Sequence, residues 1–227
     1  MQVLSSVVAH LDAPNPWISV DYVRQNADAL RAATKEHVQL VLLSVGFGLL
    51  LSVPLAVLVK GHRRLSSLLL GATGVIYTIP SLALFALLAP VTGLTLTTAV
   101  IGLTAYTLLI LVRNVLTGLE GVSQEVRESA RGMGMGRTRM LLRVELPLAM
   151  PTILAGVRVA TVSNVALATV GVVVSHGGLG QIIFLGFRSN FYRAEILTGT
   201  ALCLLLAAIA EVVFLALERL ATPWARR

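Results

Sequence analysis

The clearest potential for chemistry in this sequence lies in one loop that is rich in arginine and glycine. From Ser123 to Pro147 it reads SQEVRESARGMGMGRTRMLLRVELP. Ser123 can cap a short helix whose first turn carries Glu125, because a hydroxyl oxygen accepts from unpaired N–H groups and a carboxylate suits the positive end of a helix. Three glycines that permit a sharp turn follow: Gly132, Gly134 and Gly136.

The second arm of this loop is expected to be a short helix over residues 137–145. Pro147 should end it, since proline inside a helix removes a hydrogen bond and clashes with the preceding turn. The loop therefore predicts a helix–turn–helix elbow lying across one end of a helix bundle. By charge alone it would equally suit a basic segment resting on anionic lipid.

Signals for catalysis or for a bound cofactor are missing from the sequence. A phosphate-binding loop needs G-x4-G-K-[ST], and neither Lys35 nor Lys60 stands in that context. The glycine-rich run at 177–180 is interpreted as a tight turn between apolar segments. No His, Cys, Asp or Glu cluster has metal-ligand spacing, and no Ser/His/Asp set is legible. We therefore predict no catalytic residue, no metal and no cofactor in this chain.

Two charged residues stand inside apolar segments. A charge at the centre of a bilayer costs about 2.5 kcal/mol or more, so such residues usually face protein or water and have a partner. At about 1.5 Å per residue, Arg158 and Glu211 both lie roughly 10 Å from the same membrane face. We hypothesise that they pair.

Other polar residues in the apolar segments are candidates for lining a pathway. They are Tyr77, Ser81, Tyr106, Ser163, Asn164 and Thr169. Each could equally be a packing residue, since small and hydroxylated side chains join membrane helices. The aromatic residues form no obvious cluster that could cage a quaternary ammonium ion.

The composition indicates which elements must position these residues. Of the 227 residues, 56% are hydrophobic and only 13% are charged, about half the usual share. This composition excludes a disordered chain. It also argues against a soluble domain, because the single core of a 227-residue chain could not bury so much apolar surface. We predict an all-α membrane protein with about five spans: 38–59, 65–89 with Pro80 inside it, 94–118, 151–175 and 196–217.

The net charge of +7 is explained by its location. Eleven Lys and Arg residues fall in alternate loops on one side of the predicted membrane and five on the other, which places the elbow in the cytoplasm and the N-terminus outside. Nucleic-acid binding is not indicated. We divide the chain into an external segment, 1–36, with an interfacial helix capped by Asp21; a transmembrane domain, 37–220, with the elbow at 119–147; and a cytoplasmic tail, 221–227.

The spacing within the elbow resembles the EAA loop of bacterial ABC importer permeases. That pattern is E-A-A, three residues, G, nine residues, an aliphatic residue, one residue and L-P. The matching residues are Glu128, Ser129, Ala130, Gly134, Val144, Leu146 and Pro147. Ser129 is the single departure, a small residue in place of alanine.

Other segments resemble the osmoprotectant branch of these permeases, which handles glycine betaine, carnitine and choline. They are TIPSLAL at 78–84, Arg113-Asn114 with 117–119, LPLA at 146–149, ILAGVR at 153–158 and GGLG at 177–180. The resemblance extends from about residue 38 to residue 220.

This resemblance implies a type I importer permease in the bacterial cytoplasmic membrane, which forms the pathway for a small osmoprotectant. Its partners would be ATPase subunits carrying ATP and Mg²⁺, a second identical or related permease, and an external binding protein. The elbow would seat in a cleft of the ATPase. The residues expected to couple the two are Glu128, Ser129, Ala130, Arg131, Met133, Gly134, Met135, Leu146 and Pro147.

Three alternatives remain open from the sequence. The first is an ABC permease for amino acids such as methionine. The second is an ATP-independent carrier or channel, although these often have paired repeats or broken helices in corresponding halves, and no such repeat is visible. The third is a scaffold without transport activity.

Overall fold

The computed structural model describes residues 15–174 and 177–222, and in these ranges the chain forms only helices and the turns between them. The predicted all-α class is therefore confirmed. The α-helices are α1 (Val20–Gln25), α2 (Ala27–Val59), α3 (Arg63–Thr78), α4 (Ser81–Thr92), α5 (Leu96–Glu120), α6 (Gln124–Gly132), α7 (Arg137–Met140), α8 (Leu146–Ala168), α9 (Gly178–Arg188) and α10 (Arg193–Ala221). A π-helical turn, Leu141–Glu145, joins α7 to α8, and a 3-10 turn, Val170–Val173, follows α8.

Four helical segments of the described chain are long and apolar enough to cross a membrane: α2, α5, the segment from α7 through α8, and α10. The predicted second span is instead a bent pair, α3 and α4, whose axes meet at 95°. The bend lies at Ile79 and Pro80, where Ile79 is extended, a conformation that the following proline favours. The second span predicted at 65–89 is thus broken at Pro80, the proline noted within it.

Helix α5 is the centre of the bundle, with α2 and α8 packed along it. Glycines allow the close approach of these helices. A Cβ at Gly156 of α8 would lie 2.7 Å from Cγ of Asn114 on α5, and a Cβ at Gly118 would lie 3.1 Å from Cβ of Ala149. Small residues at such crossings let membrane helices gain dispersion contacts along their backbones. By contrast, the most apolar stretch of α10 has no buried residue.

The segment before the first span is helical, but not as one piece. Ser19 caps α1, its Oγ accepting from the amide of Tyr22 at 3.1 Å, so the predicted cap at Asp21 is wrong. Asp21 lies in the first turn instead, where its charge suits the helix dipole. The chain turns at Asn26 and then continues as α2, whose 33 residues extend about 50 Å, well beyond the roughly 30 Å of a hydrocarbon core.

The elbow differs from its prediction in its second arm. Pro147 does not end a helix: it is the second residue of α8, which the π-helical turn connects to α7 without a break. In that turn the amide of Leu146 donates to the carbonyl of Leu141, five residues back. Widening the helix by one residue relieves the clash and the missing hydrogen bond that proline would otherwise cause. The second arm is therefore the beginning of the fourth span.

The region after the fourth span also differs. Helix α8 ends at Ala168, and the predicted end of that span at Ser175 lies outside the described residues. The run at 177–180 is more than a tight turn, since it begins the 11-residue helix α9. Gly177 and Gly178 have φ values of 141° and 73°, which residues with a Cβ resist.

Candidate functional site

The turn of the elbow is fixed by its own backbone. Ser123 caps α6, its Oγ accepting from the amide of Val126 at 3.4 Å, as predicted. At the other end the amide of Met135 donates to the carbonyl of Ala130 at 3.1 Å, and that of Gly134 to Arg131 at 2.9 Å. These two bonds make a Schellman motif, which requires a left-handed residue after the helix. Gly134 supplies it with φ of 76°, so the spacing between Ala130 and Gly134 has a conformational cause.

The residues predicted to couple to an ATPase divide into two groups. One group is exposed on the elbow: Glu128, Ser129, Arg131, Met133 and Gly134. The other faces the protein: Ala130 is 1% exposed, while Met135, Leu146 and Pro147 are half-buried. The carboxylate of Glu128 accepts from the side-chain nitrogen of Gln124 at 2.7 Å, and this bond leaves the charge of Glu128 at the surface. The exposed group forms part of the surface of the elbow, and the inward group packs behind it.

A buried ion cluster lies behind the elbow, and the sequence analysis did not predict it. The carboxylate of Glu145, only 3% exposed, forms ion pairs with Lys60 and with Arg127, the latter at 3.2 Å. Arg127 also donates to the carbonyl of Leu119 at 2.6 Å. The signal that could have found this cluster is a single glutamate between two aliphatic residues, directly before the apolar fourth span.

A cavity of about 490 Å³ opens beside this ion cluster. Its lining combines four basic residues with two acidic ones: Lys60, Arg127, Arg131, Arg137, Glu120 and Glu145. The cavity is therefore a polar, positively charged recess on the side of the bundle that carries the elbow.

The predicted pair inside the membrane is confirmed. Arg158 of α8 lies 3.5 Å from the carboxylate of Glu211 on α10, and 3.8 Å from that of Glu218. Glu211 and Glu218 are seven residues apart and so share one face of α10. The sequence analysis missed Glu218 because it ended the fifth span at residue 217, whereas α10 continues to Ala221.

Two of the predicted pathway residues come together at the break between α3 and α4. The rings of Tyr77 and Tyr106 meet edge to face with centroids 5.9 Å apart. The hydroxyl of Tyr106 donates to the carbonyl of Ile79, in the extended segment itself. Tyr106 is buried, whereas Tyr77 is 41% exposed. Ser81, which begins α4, lies on the other side of the bend and is half-buried.

The remaining candidates lie on α8 or just after it. Asn164 is 1% exposed, and neither polar atom of its side chain has a hydrogen-bond partner. Thr169 donates to the carbonyl of Ala166 at 2.7 Å, and Ser163 is half-buried. Among the described residues, no hydrogen bond, ion pair or ring contact links these three to the tyrosine pair. The structure thus brings together part of the predicted set.

The end of the bundle opposite the elbow is tied by polar contacts to α2. The carboxylate of Glu36 accepts from the amide of Gly178 at 2.9 Å and so caps α9. The neighbouring imidazole of His37, fully buried, lies 3.0 Å from the carbonyl of Val165 on α8. These contacts tie α2, the first span, to α9 and to α8.

The segment at the start of α1 is held to the turn before α10. Asn15 accepts from the amide of Arg193 at 2.8 Å and donates to the carbonyl of Phe191 at 3.0 Å. Tyr22 packs edge to face on Tyr192, with ring centroids 5.7 Å apart. Burial, together with the neighbouring carboxylate of Glu195, raises the pKa of Tyr22 above its ordinary value.

Within the described ranges, no group of three or more His, Cys, Asp or Glu residues could hold a metal ion. The polar features described above are ion pairs, helix caps and a basic surface on the elbow.

Comparison with known proteins agrees with this geometry. Residues 46–227 match the family described as binding-protein-dependent transport system inner membrane component. The chain is 35% identical over 205 residues to the choline transport system permease protein OpuBB of Bacillus subtilis (strain 168), covering 90% of this chain and 94% of that protein. It is also 35% identical over 210 residues to the osmoprotectant import permease protein OsmW of Salmonella typhimurium (strain LT2), covering 90% and 97%.

The fold has a counterpart among solved structures. An inward-facing structure of the MetNI methionine ABC transporter contains a chain that superposes with a TM-score of 0.75. The match covers 86% of this chain and 96% of that one at 22% identity. This likeness concerns the fold, which is that of a type I ABC importer permease.

Proposed function

Because this chain belongs to the family of inner membrane components of binding-protein-dependent transport systems, we propose that it forms the membrane-spanning subunit of an ATP-driven importer for a small osmoprotectant such as glycine betaine, choline or carnitine. One observation carries the choice of substrate: relatives about 35% identical along nearly their whole length are named as permeases for choline or for osmoprotectants. The protein is a transporter subunit rather than an enzyme.

Partner subunits would supply the energy for transport and recognise the substrate. An ATPase binding ATP and Mg²⁺ would dock on the elbow, and an external protein would capture the substrate. A second permease, identical or related, would complete the pathway. The exposed apolar surface of α10 supports a multi-pass membrane protein, and the arginine bias supports an elbow in the cytoplasm with the N-terminus outside. The division into a permease domain at 37–220 with its loop at 119–147 belongs to the same proposal.

Coupling is assigned to the exposed face of the elbow. Glu128 and Arg131 would make charged contacts with a cleft of the ATPase, and Met133 would add apolar contact. Ala130, Met135, Leu146 and Pro147 would keep this face in place from behind. Tyr77, with its partly exposed ring beside a broken span, is the pathway residue that the structure supports best.

Uptake in a strain that lacks the native gene tests the substrate. Cells carrying the complete transport system should import radiolabelled glycine betaine, choline or carnitine, and deletion of the ATPase gene should abolish the import. Import of radiolabelled methionine, with no import of glycine betaine, choline or carnitine, would overturn the substrate assignment. Import that survives loss of the ATPase would instead favour an ATP-independent carrier or channel.

Two variants test the coupling role. Glu128→Lys reverses the exposed charge, and Gly134→Glu puts a bulky side chain at the left-handed corner. Both should stop uptake while the protein still inserts into the membrane, as measured by immunoblot of the membrane fraction. Normal uptake by both variants would remove the elbow from the mechanism.

A further inference from the structure

The buried carboxylate of Glu145 forms ion pairs with residues from two other parts of the chain, Lys60 and Arg127. We propose that Glu145 is a positioning residue that locks the elbow to the membrane helices, so that movement of an ATPase reaches the spans without loss. This inference rests on the proposed function, because it presumes that the elbow receives that movement. Glu145 itself need not touch ATP, substrate or the ATPase.

The first observation is the origin of the two cations around Glu145. Lys60 follows the last residue of α2, and Arg127 lies in α6, the first arm of the elbow. Glu145 precedes α8. One carboxylate thus holds together the end of the first span, the elbow and the beginning of the fourth span. At 3% exposure it has little water to replace a lost partner, so removing its charge would leave two cations facing one another.

The second observation extends the cluster to a third span. Arg127 donates to the carbonyl of Leu119, near the end of α5. The last carbonyls of a helix receive no hydrogen bond from their own helix, so Arg127 supplies the missing donor. A cation at this end also suits the negative pole of the α5 dipole. Arg127 therefore fastens the elbow to the central helix of the bundle, and Glu145 holds the arginine in that orientation.

The third observation is the backbone at Glu145. It is the last residue of the π-helical turn, the irregular segment that joins α7 of the elbow to α8. Without a further restraint, such a turn could bend and absorb a displacement applied at the elbow. The ion pairs to Lys60 and Arg127 supply that restraint at the point where it is needed.

The ratio of substrate imported to ATP hydrolysed tests the proposal. The complete transporter, with its ATPase and binding protein, is reconstituted in proteoliposomes carrying Glu145→Gln. We expect ATP hydrolysis to stay within about twofold of the wild type and import per ATP to fall about tenfold, within the usual range of coupling between sites. Glu145→Asp, which keeps the charge, should recover most of the ratio.

Glu120→Gln is the matched control, because Glu120 lines the same cavity and is exposed. It should keep the wild-type ratio. A residue needed only for folding would lower the amount of transporter but not the import per ATP. A wild-type ratio in Glu145→Gln would therefore overturn the proposal. Should that variant fail to assemble, Lys60→Gln, which leaves Arg127 on the carboxylate, is measured in the same way and judged by the same ratio.

A distance measurement supplies a second readout that does not depend on transport. Spin labels at Glu125→Cys and Arg64→Cys, in a Cys203→Ser background, report the separation of the elbow from the start of α3, which closely follows the first span. The distance distribution should be narrow in the wild type and broad in Glu145→Gln. Equal widths would overturn the proposed lock. Normal import by both Glu128→Lys and Gly134→Glu would instead remove the elbow from the proposed mechanism and leave this distance result standing.

Discussion

Replacing Gly134 tests whether the conformation of one residue shapes the elbow. Its φ of 76° lies in the left-handed region, and no atom lies within 4 Å of the position that a Cβ would take. Steric contact of the added methyl group with the rest of the chain is therefore excluded as a cause of any effect of Gly134→Ala. An L-residue other than glycine pays about 1–2 kcal/mol for this region. Gly134→Ala should thus shift the elbow away from its Schellman motif by a factor of about 5–30.

The size of the loss should depend on the side chain in a definite order. Asparagine tolerates the left-handed region, so Gly134→Asn should keep most of the uptake. Gly134→Val, which is β-branched, should lose more than Gly134→Ala. Gly136→Ala is the matched control: it also has open space around it, but its φ of −68° suits any residue, so uptake should not change.

Initial uptake rates, normalised to the amount of protein in the membrane, measure this series. The reasoning is refuted if Gly134→Asn and Gly134→Val lose uptake equally, since side-chain size and not backbone conformation would then decide. It is refuted as well if Gly136→Ala impairs uptake as much as Gly134→Ala does.

Further predictions concern the helix contacts and are measured by thermal unfolding of the purified protein in detergent. Arg158→Met leaves two carboxylates facing each other and should lower Tm more than Glu211→Gln, which leaves the arginine its second acidic partner; equal losses would contradict the three-residue network. Gly156→Ala should destabilise by about 1–3 kcal/mol through overpacking, whereas Gly46→Ala, in open space, should be neutral or stabilising. Glu36→Gln should cost about 1 kcal/mol by weakening the cap on α9, and an unchanged Tm would show that the cap is redundant.

Local patterns explain why much of this fold was predictable. A span needs about 20 apolar residues, and such runs stand out wherever they occur. The cap at Ser123 and the left-handed turn at Gly134 are likewise decided by residues a few positions apart. Pro80 was noted within the second span, but the bend itself was not predicted, because its angle depends on how α4 packs against α5.

The features that escaped prediction depend on distant parts of the chain. Lys60 and Glu145 are separated by 85 residues, and nothing near either one indicates the other. Pro147 continues a helix only because a π-helical turn precedes it, and that turn is visible only once the arm is packed. Glu218 joined the network of Arg158 because α10 is longer than its apolar run.

The length of α2 has a mechanical consequence. Glu36, which caps α9, and Lys60, which pairs with Glu145, stand at the two ends of about 36 Å of nearly continuous helix. Such a rod converts rotation into displacement: a tilt of about 10° would move one end by about 6 Å relative to the other. Pro54, a short distance before Lys60, is the one proline in the rod and its natural hinge. The first span therefore has the geometry of a lever arm between the two faces of the membrane.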